Sequence, residues 1–332
     1  MKKVLITNHV PDDHLEPLLG LAEIIKGPSG GPMCSRAEVL ALAPELFAII
    51  NQHELTVDRE LLAAAPNLRI VANVAIGYNN LDIAALDEAG VWGVNCPGVF
   101  AESAADHTLA LLLAVARRVT EADAYVRSGQ WAKDGFQPGP WDGMLLGGKT
   151  IGIVGFGQIG RAVAKRAEAF GMPIIFHDAT RHDDPRYRPL EALLAEADVV
   201  SLHVPLLPET RHLLNERTIA LMKRGAIVLN LARGPVVDEP ALAQALAQKW
   251  LAGAALDVWE QEPVAKDNPL LRMDNVIATP HAAFYSSTAV ARVPRRCGEE
   301  VARILTGRRP LNVINSEVYA PGSALRASRE AI

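Results

Sequence analysis

Short β-type runs alternate with Ala- and Leu-rich segments along almost all of this 332-residue chain. Such alternation is typical of βα units, whose strands pair in parallel and whose helices cover the sheet. The runs form two groups, and the chain is long enough for two domains of ordinary size. We predict strands at 4–10, 47–53, 68–74 and 91–96 in the first group, and at 150–156, 173–178, 198–204, 226–232, 252–258 and 275–281 in the second. The sequence therefore predicts an α/β fold with two doubly wound parallel sheets.

Helical and irregular segments lie between and after these runs. A helix is predicted at 56–66, a long one at 101–127 and a last one at about 286–306. The segment 128–149 is rich in Gly, Pro and Trp. We expect it to be an irregular excursion whose exposed aromatic residues are covered by a second subunit or by the other domain. The small, polar tail from Ser316 is predicted to be poorly ordered.

The composition excludes several classes of protein. Hydrophobic residues make up 49% of the chain, which argues against general disorder. The net charge of −5 disfavours a nucleic-acid partner, and the C-terminal arginines, interleaved with Glu299 and Glu300, are typical of a solvated helix face. The longest apolar run, 109–116, is far shorter than the roughly 20 residues that span a bilayer. The three cysteines lack the spacing of a disulfide framework or of a metal site. Taken with the charge and the short apolar runs, this leads us to expect a cytoplasmic protein without membrane, nucleic-acid or metal partners.

The sequence GFGQIG at 155–160 fits the pattern G-x-G-x-x-G in the context that a dinucleotide site requires. It closes the first strand of the second group and opens a helical segment, so a pyrophosphate would meet the positive end of that helix. In this motif Gly155 permits the tight turn, Gly157 lets the backbone approach the phosphates, and Gly160 lets the helix pack against the strand.

Asp178 ends the next strand, where a carboxylate accepts hydrogen bonds from ribose hydroxyls and repels a 2′-phosphate. This favours NAD over NADP, although Arg181 leaves tolerance of NADP open. The alternative is a glycine turn with an unrelated surface aspartate, but strand, turn, helix and acid occur in the expected order. Asp257, which ends the fifth strand, is expected to contact the cofactor carboxamide or to brace the site. The candidate cofactor contacts are Gly155, Gly157, Gln158, Ile159, Gly160, Asp178, His203, Pro205, Leu231 and Asp257.

Arg233, Glu262 and His281 follow three consecutive strands of the second group. Because ligands bind outside the carboxyl ends of the strands in an open parallel sheet, we expect these side chains to converge. Arg233 can bind a carboxylate and polarise a keto oxygen, His281 can protonate that oxygen, and Glu262 can orient the imidazole. Taken singly, Arg233 could belong to a structural ion pair, Glu262 could be a turn acid, and His281 could be an ordinary loop histidine. Together they fit the reduction of a 2-oxo acid by a nicotinamide cofactor.

Five segments, spread over most of the chain, resemble the D-isomer-specific 2-hydroxyacid dehydrogenase family. They are NVAIGYNNLD (73–82), GKTIGIVGFGQIGRAVA (148–164), LNLARGPVVDEPAL (229–242), ALDVWEQEP (255–263) and ATPHAAF (278–284). The resemblance implies two Rossmann-like or flavodoxin-like domains, with the cofactor domain inserted in the substrate domain. On this basis the substrate domain is predicted at 1–98 plus 286–332, and the NAD-binding domain at 99–285. Members of the family are usually homodimers, which would explain the aromatic segment at 128–149.

The resemblance also implies roles for individual residues. Arg233, Glu262 and His281 would be the catalytic set, in agreement with the reasoning from the strand ends. Backbone amides of the loop around Ala75, Ile76 and Gly77 would hold the substrate carboxylate, as a Gly-containing anion nest can. Phe284 occupies the position of an aromatic residue that lines the substrate pocket in one branch of the family.

Features of subfamilies narrow the activity without fixing the substrate. Phosphite dehydrogenases carry a lysine where this chain has Ile76, and formate dehydrogenases carry a glutamine where it has Glu262. These two differences argue against phosphite and formate dehydrogenase activity. The segments TPHAAFYS and GRRPLNVIN resemble the C-terminal-binding-protein corepressors, whereas 73–82 and 95–118 are closer to glyoxylate and hydroxypyruvate reductases. We therefore predict an NAD(H)-dependent oxidoreductase that interconverts a small 2-oxo acid and its D-2-hydroxy acid. The alternative is an NAD(H)-sensing, corepressor-like binding protein with little turnover.

The side-chain specificity stays open. We expect it to depend on the shape of a pocket to which residues 51–54 and Phe284 contribute, with Trp141 of a neighbouring subunit as a further contributor.

Overall fold

The computed structural model describes residues 1–29, 33–52, 55–137 and 141–315, and it divides the chain into two compact units. The first unit comprises Met1–Val99 together with the chain from Ser287 onward, and the second comprises Phe100–Ser286. Each unit is built on its own parallel sheet, so the fold is α/β with two Rossmann-like units. The second unit is an insertion between the two segments of the first.

The first unit contains a five-stranded parallel sheet in the order β2-β1-β3-β4-β5, the flavodoxin-like order. Its strands are β1 (Lys2–Ile6), β2 (Ala22–Lys26), β3 (Leu46–Gln52), β4 (Ile70–Val74) and β5 (Trp92–Val94). The helices between them are α1 (Arg36–Leu42), α2 (Arg59–Ala64) and α3 (Ile83–Ala89). All five residues of β4 are buried, as expected for a central strand covered on both faces. The loop after β4 therefore starts from a fixed point in the core.

The second unit contains a six-stranded parallel sheet in the order β11-β10-β9-β8-β6-β7. Its strands are β6 (Ile151–Val154), β7 (Ile174–His177), β8 (Val199–Leu202), β9 (Ile227–Asn230), β10 (Gly253–Leu256) and β11 (Val276–Ala278). Its helices are α4 (Ala101–Ala116), α5 (Val119–Arg127), α6 (Gln130–Asp134), α7 (Gln158–Ala169), α8 (Leu190–Glu196), α9 (Glu216–Ile219) and α10 (Glu239–Ala247). The last helix of the chain, α11 (Ser287–Leu305), belongs to the first unit and packs against β4.

The sheet of the second unit reverses its winding between β6 and β8, because β7 lies on one side of β6 and the later strands lie on the other. Gly155 stands at this reversal with a φ of +95°, and a Cβ there would lie 2.5 Å from the carbonyl oxygen of His203. Glycine is therefore required where the chain leaves β6. Reversals of this kind are where open α/β sheets bind ligands.

The ten predicted strands are confirmed, each within a few residues of its predicted bounds. One strand is missing from the prediction: β2, whose sequence AEIIK places a charge near each end of a half-buried edge strand. The helix predicted at 101–127 is wrong as a continuous element. It ends at Ala116, and α5 begins after Arg118, whose φ of 54° lies in the left-handed region and interrupts the helix.

Two further predictions concern segments that lie partly or wholly outside the described residues. The segment predicted to be irregular, 128–149, contains the short helix α6, while residues 138–140 within it lie outside the described chain. The tail from Ser316 also lies outside it. Within the described ranges, no helix combines the length and apolar character needed to cross a membrane, and no group of three metal-ligating side chains occurs.

Candidate active site

The glycine-rich turn leads from β6 into α7 and has room for a ligand. A Cβ on Gly160 would lie 2.1 Å from the carbonyl oxygen of Gly155, so the helix approaches the strand as closely as the motif predicts. A Cβ on Gly157 would meet no atom within 4 Å, and this residue caps α7 without a side-chain hydrogen bond. The first amides of α7, at Gln158 and Ile159, therefore adjoin open space. The turn fits the pyrophosphate of a dinucleotide.

Asp178 is held beside this turn. Its Oδ2 accepts a hydrogen bond from the Phe156 amide at 3.1 Å, and its Oδ1 accepts one from the Ala179 amide at 2.8 Å. The side chain keeps 30% of its surface exposed, so the carboxylate is fixed and also accessible. This arrangement fits ribose hydroxyl groups, as the sequence predicts.

The three candidate cofactor contacts that follow β8 and β9 are His203, Pro205 and Leu231, and their environments differ. The imidazole of His203 pairs with Ser201 Oγ at 2.8 Å, and burial lowers the pKa of His203 to about 4, so the ring is neutral. Its Nδ1 is buried and has no hydrogen-bond partner within the described part of the protein. Pro205 is exposed at the start of the following loop, whereas Leu231 is 8% exposed and belongs to the core. A buried, unpaired nitrogen at the end of β8 fits a cofactor group that would hydrogen-bond to His203.

Asp257 is fully buried after β10, and both of its oxygens are occupied. Its Oδ1 accepts hydrogen bonds from Thr279 Oγ1 at 2.6 Å and the Ala282 amide at 2.8 Å, and its Oδ2 accepts one from the Ala283 amide at 2.8 Å. Burial works against the charged form, but the bonds from His107, Thr279 and the two amides hold the pKa of Asp257 below its usual value. Of the two roles expected for this residue, these contacts favour bracing the site.

Arg233 follows β9 and precedes a 3₁₀ turn, Gly234–Val236. Gly234 is required there, since a Cβ would lie 1.9 Å from the backbone of Trp259. The guanidinium donates to the Ala232 carbonyl at 2.7 Å. Burial lowers the pKa of Arg233, and the Glu262 carboxylate acts in the opposite direction. The cation and the acid are therefore neighbours, as the order of the strand ends predicts.

Glu262 and His281 form a short hydrogen bond. Nδ1 of His281 lies 2.7 Å from Oε2 of Glu262, and Oε1 of Glu262 accepts the Trp259 amide at 3.0 Å. Burial raises the pKa of Glu262, but the bond to His281, the Trp259 amide and the charge of Arg233 outweigh it and hold that pKa below its usual value. The site thus contains an ionised acid between a cation and an imidazole.

The backbone of His281 is as constrained as its side chain. Its φ is 54°, in the left-handed region that non-glycine residues seldom adopt, and its amide donates to the Asp257 carbonyl at 2.8 Å. The ring of Phe284 lies 6.3 Å from the ring of His281 and packs edge-on against Phe100. Phe284 is therefore a neighbour of the imidazole.

The remaining candidates lie elsewhere. The loop of Ala75, Ile76 and Gly77 belongs to the first unit, is half-buried and follows β4. Asn51 is fully buried, so its side chain cannot shape an open pocket, and His53 and Glu54 lie outside the described residues. Trp141 packs against Tyr125 with ring centroids 5.0 Å apart.

Two residues near the site, His107 and Thr279, were not predicted from the sequence as site residues. Nε2 of His107 on α4 lies 3.5 Å from Oδ1 of Asp257 and 3.4 Å from Thr279 Oγ1. Thr279 itself donates to Asp257. A threonine that begins the TPH segment could have been singled out from its position at the end of a strand. No local spacing connects His107 with residues more than a hundred positions away.

The glycine-rich turn, the Asp178 carboxylate beside it and the group of Arg233, Glu262 and His281 together fit an NAD-binding oxidoreductase unit. Residues 109–283 match the family model described as the NAD binding domain of D-isomer specific 2-hydroxyacid dehydrogenases. The chain belongs to the D-isomer-specific 2-hydroxyacid dehydrogenase family, and it is an NAD-dependent enzyme that interconverts 2-oxo acids and 2-hydroxy acids.

Similar proteins agree with this assignment. The chain is 42% identical over 322 residues to the glyoxylate reductase of Korarchaeum cryptofilum, covering 95% of this chain and 96% of that protein. It is 41% identical over 326 residues to the glyoxylate reductase of Thermococcus litoralis, covering 95% and 97%. Among solved structures, the TT0316 protein of Thermus thermophilus superposes with a TM-score of 0.89 at 41% identity, covering 94% of this chain and 99% of that one. D-Lactate dehydrogenase of Aquifex aeolicus, complexed with NAD and lactic acid, gives 0.81 at 29% identity, with coverages of 94% and 99%.

Proposed function

We propose that this enzyme reduces glyoxylate or a closely related small 2-oxo acid to the D-2-hydroxy acid with NADH. The observation that carries the proposal is the 2.7 Å bond between His281 and Glu262, with Arg233 beside the same carboxylate. These are the three groups that a carbonyl reduction needs: a cation for the substrate, a proton donor, and an acid that orients the donor. The glyoxylate reductases that resemble the chain over most of its length support the choice of substrate.

In this mechanism the nicotinamide, when bound, supplies the hydride. Arg233 binds the substrate carboxylate through its planar donor fork and polarises the keto oxygen. His281 gives a proton to that oxygen, and it accepts the hydroxyl proton in the opposite direction. Because Nδ1 faces Glu262, Nε2 is the atom assigned to proton transfer. Glu262 stabilises the positive ring and keeps it oriented.

The cofactor contacts are proposed on the same terms. The backbone at Gly155, Gly157 and Gly160, with the first amides of α7, would hold the pyrophosphate. Asp178 would accept hydrogen bonds from the adenosine ribose and so favour NAD over NADP. His203 and Pro205 would lie along the cofactor, whereas Leu231 belongs to the core, and Asp257 would fix the loop that carries His281. We assign NAD binding to residues 99–285 and substrate binding to 1–98 plus 286–332.

We further propose a cytoplasmic homodimer that has no nucleic-acid or membrane partner. An exposed aromatic patch on the second unit supports the dimer, since soluble monomers seldom expose contiguous apolar surface. The patch consists of Tyr125, Val126, Trp131, Phe136 and Trp141, which line one cavity. A net charge of −5 supports the absence of a nucleic-acid partner.

Oxidation of NADH in the presence of glyoxylate, hydroxypyruvate, pyruvate and longer 2-oxo acids tests the proposal. We expect turnover with the smallest acids and a decline as the side chain lengthens. The same panel with NADPH tests the cofactor preference. Tight NADH binding without turnover on any of these acids would refute the proposal and support the corepressor-like sensor, which does not need Arg233, Glu262 and His281 together.

A further inference from the structure

Three successive carbonyl groups in the loop after β4 are bound by donors of the first unit. The Ala75 oxygen accepts the Cys96 amide at 3.0 Å, the Ile76 oxygen accepts Nδ2 of Asn95 at 2.7 Å, and the Gly77 oxygen accepts Nδ2 of Asn73 at 2.8 Å. In a trans peptide the N–H group points opposite to the carbonyl of the preceding residue. The amides of residues 76–78 are therefore turned away from these donors.

These three amides have no acceptor among the described residues, and the loop is half-buried to exposed. Their direction does not come from a left-handed glycine, since Gly77 is not among the glycines with positive φ. It comes from the side chains that hold the carbonyls. Unpaired amides of successive residues at the carboxyl end of a buried strand are suitable donors for an anion.

The two asparagines are themselves held in place. Asn73 is fully buried at the end of β4, and its Oδ1 accepts from Nδ2 of Asn51 at 3.2 Å and from Nδ2 of Asn80 at 3.1 Å. The bond from Asn51 determines which end of the amide faces the Gly77 carbonyl, because Nδ2 of Asn51 also donates to the Leu55 carbonyl at 3.0 Å and its own orientation is thereby fixed. The backbone amide of Asn95 donates to the Asn312 carbonyl at 3.2 Å, which fixes its position on the loop after β5.

We infer that Asn73 and Asn95 are positioning residues for carboxylate recognition: they hold the carbonyls of Gly77 and Ile76 so that the amides of residues 76–78 donate to the substrate carboxylate. This inference rests on the proposed function for the identity of the anion. Neither asparagine touches the substrate. Each acts through the peptide group that it orients, and their effect is on binding of the anion in the ground state and the transition state alike.

The substitution Asn95→Leu tests the inference, because leucine has a similar size but cannot donate to the Ile76 carbonyl. We expect the dissociation constant of oxalate, measured by calorimetry with NADH present, to rise about tenfold. The KM for glyoxylate should rise by a similar factor while kcat changes less than twofold, since uniform binding is lost. NADH affinity should be unchanged.

Asn67→Leu is the matched control. Asn67 also donates from Nδ2 to a backbone carbonyl of the first unit, that of Pro44 at 2.9 Å, but it lies at the opposite end of the strands. This variant should bind oxalate and glyoxylate as the wild type does. An Asn95→Leu protein that matches Asn67→Leu in both constants would overturn the inference.

A measurement on the wild type covers the case in which Asn95→Leu does not fold. In protein labelled with ¹⁵N-glycine and ¹⁵N-isoleucine, oxalate should shift the amide resonances of Gly77 and Ile76. Unmoved resonances at saturating oxalate, or no oxalate binding at all, would overturn the inference. The oxalate experiments are separate from the substrate panel: a wild type that reduces no 2-oxo acid refutes the proposed function, and oxalate binding still decides the role of the asparagines.

Discussion

At the scale of single residues, the contact between His281 and Glu262 determines how the imidazole can work. The carboxylate accepts at Nδ1, so Nδ1 carries a hydrogen, and in the proposed mechanism Nε2 is the nitrogen that exchanges a proton with the substrate. Glu262 cannot rotate away without cost, because its second oxygen holds the Trp259 amide. Proton transfer and orientation are thus separate tasks assigned to two residues, and substitutions can distinguish them.

The substitution His281→Ala should lower kcat for glyoxylate by about 10²–10⁴-fold, the usual contribution of a positioned general acid. Glu262→Gln should lower kcat by a smaller factor, because an amide oxygen can still accept a hydrogen bond from Nδ1 of His281 although the charge is gone. Steady-state kinetics gives both values. NADH binding, followed by fluorescence, serves as the control and should change little. Activity close to that of the wild type in His281→Ala would show that another group donates the proton.

Asp178 should determine the choice between the two nicotinamide cofactors. Removing its carboxylate in Asp178→Ala should reduce the preference for NADH over NADPH, measured as a ratio of kcat/KM values, by about tenfold or more, because a 2′-phosphate is no longer repelled. Asp183→Ala is the control: it removes an equal charge from an exposed position in the same loop. If both variants keep the wild-type ratio, another group selects the cofactor.

At the scale of elements, the loop between β11 and α11 owes its shape to one buried carboxylate. Asp257 accepts three short bonds from this loop, at Thr279, Ala282 and Ala283, and its own carbonyl accepts the His281 amide. The loop therefore holds His281 in a left-handed conformation that few side chains adopt on their own. The end of β10 in this way positions a residue that belongs to the end of β11.

The substitution Asp257→Asn should destabilise the enzyme by about 1–3 kcal/mol at pH 7, because the amide group of asparagine replaces an acceptor that buried donors need. The pKa of Asp257 is lowered from the usual 3.8, so its ionised form contributes stability above that pH. The contribution is lost as the pH falls through the lowered pKa. Urea denaturation should therefore show a difference between wild type and variant that is full at pH 7 and shrinks below pH 3.8.

Asp183→Asn provides the comparison for that experiment, since its carboxylate is exposed. It should leave the free energy of unfolding unchanged at both pH values. A difference between wild type and Asp257→Asn that persists undiminished in acid would mean that lost packing, and not lost charge, destabilises the variant.

The elements differ in how far the sequence predicts them. The strands of the second unit are three or four residues long and lie in mostly apolar, mostly buried runs between turn residues, and all of them were predictable. The edge strand β2 was not, because only one face is covered and its ends are charged. The break at Arg118 was also not predictable from composition, since arginine is a good helix former and seldom adopts a left-handed φ.

The same distinction applies to the site. Arg233, Glu262 and His281 each follow the carboxyl end of a parallel strand. Because these ends lie at one edge of the sheet, where ligands bind, the sequence alone predicts that the three side chains lie close together. His107 and Asn95 act through partners that are distant in sequence or are backbone atoms. Their contacts depend on the register of packed elements, which no local pattern encodes.

At the scale of the whole molecule, the chain passes from the first unit to the second at Val99 and returns after Ser286. Each unit has its own sheet, and each has its own buried core. The second unit also carries the aromatic patch, in which Trp131 is 51% exposed and Phe136 is 85% exposed. Large aromatic side chains left in water are unfavourable for a monomer, and burial of the patch against a second copy would remove that cost.

The substitution Phe136→Asp should therefore disrupt the proposed homodimer, because it places a charge on the most exposed aromatic residue of the patch. Light scattering after size-exclusion chromatography should find the wild type at twice the 35.7 kDa chain mass and the variant shifted toward the chain mass at low micromolar concentration. Leu207→Asp is the matched control, since Leu207 is also an exposed apolar residue of the second unit, at 49%, but lies outside the patch. It should remain dimeric. A monomeric wild type, or a Phe136→Asp protein as dimeric as Leu207→Asp, would mean that the aromatic patch is not the surface through which this enzyme assembles.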